Sequence, residues 1–184
     1  MYDRLMSEGP GVPGTDLTEG LEILHKFVTE LADLMATKED YLNSERLFGM
    51  SMTSHPDLAA AEKELAVQSE IYAIYAEYVE QVRLWSAILW AELDVSKMEE
   101  GTESLLKKLA KMKHFKGVAT YEAVVQEITG FGNSLPLMSS LKSPSLRPRH
   151  WKSLMEATGA EFDLDPKTFT LGAMFKLHLH NFAE

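Results

Sequence analysis

The stretch DLTEGLEILHKFVTELADLM, residues 16–35, carries the strongest periodic signal in the chain. Apolar side chains recur there at alternating spacings of four and three residues, at Leu17, Leu21, Leu24, Val28, Leu31 and Met35. This spacing places them on one face of an α-helix. Asp16 stands three residues before Glu19, a pattern typical of a helix N-terminal cap. We therefore predict a helix over about residues 16–42.

The rest of the chain alternates apolar helical stretches with short breaks. His55–Pro56 ends one stretch because the residue before a proline avoids helical geometry, and Asp57 is expected to cap the next helix. Gly130–Phe131–Gly132 is expected to end another helix. Further helices are predicted at about residues 58–91, 96–113, 116–130, 133–141, 146–158 and 171–182. Long helices with short connections predict an all-α fold, an elongated antiparallel bundle of about six to seven helices.

The Pro/Gly cluster SEGPGVPG at residues 7–14 is not compatible with a continuing helix. We therefore expect residues 1–15 to form a Gly/Pro-rich leading loop and residues 16–184 to form the helical bundle. The last predicted helix reaches the final residues without a glycine or proline stop signal. For this reason we expect the chain to be a fragment whose parent continues.

The composition argues against several classes of function. The 184 residues carry a formal net charge of −10, and an acidic surface repels phosphates, which disfavours a nucleic-acid partner. The sequence contains no cysteine, so disulfides, cysteine-ligated zinc and thiol catalysis are excluded. No stretch approaches about eighteen uninterrupted apolar residues, so we expect no membrane-spanning helix and no membrane partner.

The nucleotide and metal motifs are incomplete or missing. The sequence has no P-loop, in which two glycines five residues apart precede Lys and Ser or Thr. His178 and His180 are two residues apart, and on a helix this spacing points them in different directions. Glu22 and His25 match half of a di-iron motif, and no second copy follows. We therefore predict no catalytic, cofactor-binding or metal-binding residue in this chain.

Large aromatic residues concentrate on the predicted helix at 58–91. Tyr72, Tyr75, Tyr78, Trp85 and Trp90 occur there. Aromatic residues at helical spacing are more often core or helix–helix contacts than a cofactor site, and buried hydroxyl and indole N–H groups need partners. Trp85 and Trp90 are accordingly predicted to be structural or interaction anchors.

The stretch LRPRHWKSLME, residues 146–156, combines two arginines, a histidine and a tryptophan. A basic catalytic or nucleic-acid site would need an accompanying nucleophile or aromatic platform, and this stretch has neither beside it. The structural alternative places Trp151 in the core, while Arg147, Arg149 and His150 tie its helix to neighbouring segments through multidentate hydrogen bonds. We favour this second interpretation.

Several segments, in order, resemble dynein heavy chains. LRPRHWKSLMEATG resembles the "RHW" segment near the start of the dynein linker, and SEGPGVPG resembles the GP-rich loop of axonemal heavy chains. SERLFGMSMTSHPDL, RLWSAILWAELDVSKM and NSLPLMSSLKSPSLRPRHW are similar to further segments of the same region. The pattern resembles axonemal rather than cytoplasmic chains, and among the axonemal subtypes we expect the outer arm. SPSLRP departs from the usual approach to the RHW segment, and the C-terminal stretch matches loosely.

This resemblance implies a mechanical function. In the family, a helical linker lies across a ring of AAA+ modules, and its bending converts ATP hydrolysis in the ring into movement along microtubules. This chain would be the tail-proximal part of the linker and would itself be non-catalytic, with ATP and magnesium bound in the ring of the parent motor ATPase. The implied partners are the ring and tail of the same heavy chain and other heavy, intermediate or light chains, with microtubules contacted only indirectly. The implied location is the cytoskeleton of a ciliary or flagellar axoneme.

Two other functions remain open from the residues alone. One is a passive acidic helical scaffold that docks partner proteins, and the other is a helical enzyme that uses carboxylates and His150. For the mechanical interpretation, stiff units are expected at 16–42 and 58–91, with hinges near 130–136 and 142–146, because hinges fall at element boundaries.

Overall fold

The computed structural model describes residues 1–142 and 169–172. Within these residues the fold is all-α, and no strand occurs apart from an isolated bridge between Leu89 and Thr170. The described part has five α-helices and one 3₁₀ turn: α1 Tyr2–Glu8, α2 Leu17–Leu47, α3 Pro56–Ser86, α4 Val95–Lys111, the turn Lys113–Phe115, and α5 Ala119–Leu141. None of the helices in this part is long and apolar enough to cross a membrane.

Helix α1 lies within the range 1–15, where we expected only a loop. It is held against α2 by the Arg4 guanidinium, which pairs with the Glu30 carboxylate and lies 5.3 Å from the centre of the Phe27 ring. Leu5 is the buried residue of α1. The Gly/Pro segment that follows, from Gly9 onward, forms turns, as the sequence indicates. The proposed division at residue 15 stays a prediction.

Helix α2 confirms the prediction from the apolar stripe. Asp16 caps its N-terminus, since the carboxylate accepts hydrogen bonds from the backbone N–H groups of Thr18 and Glu19 at 2.8 and 3.1 Å. The helix continues past residue 42 to Leu47 and ends before Gly49, whose φ of 64° is in the left-handed region that favours glycine.

Helix α3 begins one residue before the predicted cap and ends earlier than predicted. Pro56 is its first residue, so Asp57 lies in the first turn and is not the cap. The helix ends at Ser86 rather than near residue 91, because the following backbone pairs elsewhere. The Ile88 carbonyl accepts from the N–H of Leu171 at 3.1 Å.

Helix α4 closely matches its predicted range. It begins at Val95, one residue before its predicted start, and ends at Lys111. One face is buried, and it consists of Met98, Thr102, Leu105 and Leu109. These residues are spaced by three or four positions, as the core face of an amphipathic helix requires.

Helix α5 corrects the prediction of two helices at 116–130 and 133–141. It runs without interruption from Ala119 to Leu141, through Gly130–Phe131–Gly132 and through Pro136. Glycine costs about 1 kcal/mol and proline about 3 kcal/mol in a helix interior. Packing outweighs that cost here, because Ile128, Leu135 and Met138 are buried on one continuous face. The hinge expected at 130–136 therefore loses its basis, since no element boundary occurs there.

The described helices contribute to two compact units. Unit 1 consists of residues 1–76 and 112–124. Its core contains the buried residues Leu5, Leu24, Phe27, Ala61, Leu65, Ile71, Tyr72, Ile74, Tyr75, Phe115, Tyr121 and Val124.

Unit 2 consists of residues 77–111 and the chain from residue 125 onward. One cluster of its core is formed by Leu93, Met98, Leu135, Met138, Phe169 and Leu171. The predicted helices at 146–158 and 171–182 lie outside the described residues, apart from Leu171 and Gly172, which are helical.

Candidate functional site

The carbonyl oxygen of Pro10 joins three segments of unit 1. The Tyr72 hydroxyl on α3 donates to it at 3.0 Å, and the Thr120 hydroxyl at the start of α5 donates at 3.4 Å. All three residues are buried. A buried carbonyl must be hydrogen-bonded to avoid a desolvation cost, and these two hydroxyl groups satisfy it. The leading Gly/Pro loop is thereby fastened to two helices.

Helix α2 approaches the same tyrosine closely because residue 20 is glycine. A Cβ atom added at Gly20 would lie 1.9 Å from the Tyr72 Oη. No ordinary side chain fits in this space, so the position requires glycine for the close approach of α2 to α3. In the loop just after Pro10, an added Cβ at Gly11 would lie 2.5 Å from Nε2 of Gln68.

The tyrosines of α3 have the structural role that their spacing predicts. Tyr72, Tyr75 and Tyr78 are all buried, and the rings of Tyr72 and Tyr75 meet edge to face with centroids 6.3 Å apart. Burial raises the pKa of Tyr72 to about 12, with smaller contributions from Tyr75 and Asp16. The phenol therefore keeps its proton and remains a hydrogen-bond donor throughout the physiological pH range.

Gln68 is a buried polar residue next to this site, with 1% of its surface exposed. Its Nε2 donates to the Glu64 carboxylate at 3.0 Å. Within the described residues its Oε1 has no hydrogen-bond partner, which leaves part of the amide unsatisfied.

In unit 2 an aromatic cluster joins α3, α4 and α5. The Trp85 indole stacks on the Phe131 ring at 5.7 Å with an interplanar angle of 8°, and Tyr78 meets the same ring edge to face at 5.8 Å. Helix α4 approaches at Gly101, where an added Cβ would lie 2.8 Å from Cζ2 of Trp85. Such ring pairs contribute about 0.5–1.5 kcal/mol beyond the area they bury.

The segment after α3 is fastened to residues that are distant in sequence. The backbone N–H of Trp90 donates to the backbone carbonyl of Phe169 at 2.8 Å, and the centroids of the two rings lie 5.8 Å apart. At the end of α5, Lys142 donates through Nζ to the backbone carbonyls of Leu93 and Ala91. These contacts connect the end of α5 with the segment that leads into α4.

The predicted anchors divide into two groups. Trp85 and Trp90 are partly buried and belong to the packing of unit 2. Arg147, Arg149, His150 and Trp151 lie outside the described residues, so their role as anchors stays a prediction.

The contact roles of Pro10 and Phe131 are not evident from the sequence. Both residues have the local composition of a break, since Pro10 stands in a Pro/Gly cluster and Phe131 stands between two glycines. The signal that could have identified Phe131 is its position three residues after Ile128 and four before Leu135, on one helical face.

The side chains that a metal centre requires are not brought together in residues 1–142 and 169–172. No group of three or more His, Asp or Glu side chains in these residues could hold a metal ion. Glu22 and His25, the half di-iron motif, are both exposed on α2. In the described residues, the buried contacts set out above are the notable feature of each unit.

Comparison with known proteins gives the class to which this architecture belongs. Residues 58–184 match the family model described as dynein heavy chain, N-terminal region 2. This match covers more than half of the chain, and the chain therefore belongs to the dynein heavy chain family. The resemblance deduced from the RHW and neighbouring segments is confirmed.

Three relatives show which heavy chains are similar. The chain is 50% identical over all of its 184 residues to the dynein-1-alpha heavy chain of the flagellar inner arm I1 complex of Chlamydomonas reinhardtii. It is 36% identical over 96% of its length to human dynein axonemal heavy chain 10, and 30% identical over 94% of its length to the gamma chain of the Chlamydomonas flagellar outer arm. It spans about 4% of the length of each relative. The axonemal type is confirmed, whereas the outer-arm subtype stays a prediction.

Proposed function

We propose that this chain is the N-terminal, tail-proximal part of the linker of an axonemal dynein heavy chain. In this role it is a mechanical element that couples ATP-driven changes in a AAA+ ring, elsewhere in the parent chain, to movement along microtubules. The observation that carries the proposal is the match of residues 58–184 to dynein heavy chain, N-terminal region 2. The contact between Trp85 and Phe131, with Gly101 packed against the indole, supplies a close-packed joint suited to a mechanical element. Close-packed cross-helix joints resist bending because bending would separate side chains already in contact.

The proposal places ATP hydrolysis in another part of the parent chain. The fragment is non-catalytic in the proposal, and ATP and magnesium are bound in the AAA+ ring of the parent motor ATPase. Family membership and the missing P-loop support the proposal that ATP is bound elsewhere in the parent chain and not in these residues.

The proposed partners are the ring and tail of the same heavy chain and other heavy, intermediate or light chains of the complex. Microtubules are contacted only indirectly. The acidic composition, with a net charge of −10, argues against a nucleic-acid partner, and no membrane partner is proposed. The proposed location is the axoneme of a cilium or flagellum. The higher identity to an inner-arm than to an outer-arm chain favours the inner arm over the subtype that we expected from sequence.

The proposal extends the described helices to an elongated antiparallel bundle of about six to seven helices. In it, Trp85, Trp90, Arg147, Arg149, His150 and Trp151 act as anchors. The remaining hinge candidate is 142–146, which begins where α5 has ended at Leu141.

A test separates this function from that of a passive acidic scaffold, which long helices would also suit. Trp85→Ala is introduced into the parent heavy chain, and microtubule gliding speed and ATP turnover are measured together. A mechanical role predicts that gliding slows while ATP turnover continues, because the joint transmits force and does not bind nucleotide. The matched control is Leu84→Ala, a neighbouring side chain that is 55% exposed. Unchanged gliding with Trp85→Ala would favour the passive scaffold.

A further inference from the structure

The connection between α2 and α3 exposes an unusual concentration of large apolar side chains. We define the apolar tip as residues 47–52, LFGMSM. Its four large side chains are exposed to 81% at Leu47, 75% at Phe48, 62% at Met50 and 56% at Met52. Single exposed apolar residues are ordinary, but four within six positions form a patch of the kind that marks an interaction site.

The backbone of the tip has a defined conformation. The N–H of Met50 donates to the Glu45 carbonyl at 2.8 Å, and the N–H of Gly49 donates to the Arg46 carbonyl at 3.2 Å. These two bonds and the positive φ of Gly49 define a Schellman motif at the end of α2. The apolar side chains are thus presented from a defined cap, which lowers the entropy lost on binding.

A second set of bonds closes the loop. The Glu45 carboxylate accepts from the backbone N–H of Thr53 at 2.9 Å and from the Thr53 hydroxyl. These bonds lower the pKa of Glu45 below its ordinary value, because both stabilise the charged carboxylate. The segment 46–52 is therefore tied at both ends.

The cap omits the internal contact that usually accompanies this motif. In a Schellman motif the residue at the position of Met50 commonly packs on an apolar residue in the last helical turn. Here the corresponding positions are Glu45 and Ser44, and the Met50 side chain remains 62% exposed. The apolar side chain is thus left available for a partner.

Charge around the tip indicates the chemistry of that partner. The helix ends that carry the tip, residues 38–46 and 55–64, have more carboxylates than cations: Glu39, Asp40, Glu45, Asp57, Glu62 and Glu64 against Lys38, Arg46 and Lys63. A second copy of the chain would bring like charges together, whereas a basic segment would complement them. Methionine side chains adapt to irregular apolar surfaces and are common where helices are captured.

We propose that the apolar tip is a docking surface for a basic amphipathic helix of a partner polypeptide, whose apolar face covers Phe48 and Met50. The proposal does not depend on the mechanical function, because a passive scaffold could carry the same surface. Gliding tests of the linker and docking tests of the tip can therefore fail separately.

The first experiment identifies what lies on the tip in the assembled parent complex. The photo-crosslinking amino acid p-benzoylphenylalanine replaces Met50, or Leu84 as an exposed control on α3. We expect crosslinks from position 50, above the control, to a segment with an apolar helical face flanked by Lys and Arg. Crosslinks no stronger than those of the control, or crosslinks to lipid, to a second copy or to an acidic segment, would overturn the proposal.

The second experiment measures the chemistry of binding directly. A short Leu/Lys amphipathic peptide and a matched Leu/Glu peptide are titrated into the 184-residue chain, with folding checked by circular dichroism. We expect the double change Phe48→Gln with Met50→Gln to weaken Leu/Lys binding by about tenfold or more, equivalent to about 1.4 kcal/mol. Leu84→Gln should leave it unchanged. Equal binding of both peptides, or equal loss with Leu84→Gln, would contradict the proposal.

Discussion

The Tyr72 hydroxyl donates a hydrogen bond of 3.0 Å to the carbonyl oxygen of Pro10, sixty-two residues earlier in the chain. This contact joins the leading Gly/Pro loop to the middle of α3. The Pro10 carbonyl also accepts a hydrogen bond from the Thr120 hydroxyl, which is longer at 3.4 Å. The tyrosine is therefore the main partner of this buried carbonyl.

Tyr72→Phe tests the contribution of this bond. The ring stays in place while the donor is lost, and the Pro10 carbonyl keeps only the longer bond. We expect the free energy of unfolding to fall by about 1–2 kcal/mol, as for other buried hydrogen bonds that lose one partner. Urea unfolding measures the change, with Tyr41→Phe as the control because Tyr41 is 64% exposed. Equal stability of the two variants would show that the bond is dispensable.

The same tyrosine gives unit 1 a defined pH dependence. Its pKa rises from 10.0 to about 12 on folding, so the folded state holds the phenol proton more tightly than the unfolded state. This stabilisation is fully present below pH 10 and is lost as the pH rises through about 12. We expect the stability advantage of the wild type over Tyr72→Phe to shrink by about 2 kcal/mol across that window. An advantage that stays constant or grows between these pH values would contradict the assignment.

Gly20→Ala and Gly130→Ala form a matched pair of helical glycines. Alanine is favoured over glycine in a helix by about 1 kcal/mol. At Gly130 nothing lies within 4 Å of the added Cβ, so we expect stabilisation approaching that value. At Gly20 the added atom would lie 1.9 Å from Tyr72 Oη, and we expect destabilisation of about 1–3 kcal/mol. Thermal and chemical unfolding of both variants would reveal the opposite signs, and a stabilised Gly20→Ala would refute the close approach of α2 to Tyr72.

The stack of Trp85 on Phe131 is testable with a double-mutant cycle. Trp85→Ala, Phe131→Ala and the double variant are compared by chemical unfolding. We expect a coupling energy of about 0.5–1.5 kcal/mol. Each single variant already removes the ring contact, so the double variant loses less stability than the sum of the two single losses. A parallel cycle with Leu84→Ala in place of Trp85→Ala should give a coupling near zero. Equal coupling in the two cycles would mean that the stack adds nothing specific.

Hydrogen exchange tests the continuity of α5 and the remaining hinge. We expect the amides of residues 131–135 to exchange as slowly as those in the middle of α3, because they lie inside one helix. The amides of residues 142–146 should exchange faster if this segment is the hinge. Equal protection of 142–146 and 65–85 would remove the hinge, and rapid exchange at 131–135 would restore the two-helix prediction.

The helices were predictable from sequence where the signal is local. The apolar stripe and Asp16 predicted α2 and its cap, and the apolar helical stretch at 96–113 predicted α4. Family membership was also readable, because ordered motifs such as RHW survive as strings of residues. The signals for α2 and α4 depend on neighbours within about one helical turn, whose geometry the helix itself imposes.

Local sequence patterns gave wrong predictions where contacts between residues distant in sequence compete with them. Gly130–Phe131–Gly132 has the composition of a helix end, yet Phe131 packs on Trp85 and the helix continues. Pro10 was interpreted as part of a simple break, yet its carbonyl is bonded to Tyr72 and Thr120. Helix α3 ends at Ser86 although apolar residues continue, because the backbone at Ile88 and Trp90 pairs with residues 169–171.

Periodicity and capping along the chain thus determined that the described part of this protein is all-α and where most of its helices begin. Only the tertiary structure decided where α3 stops, that α5 is continuous and which residues join the helices. The reason is energetic: local propensities differ by about 1 kcal/mol per residue, whereas burial of a large side chain contributes about 1.5–3 kcal/mol. Contacts between residues distant in sequence therefore decide wherever the two disagree.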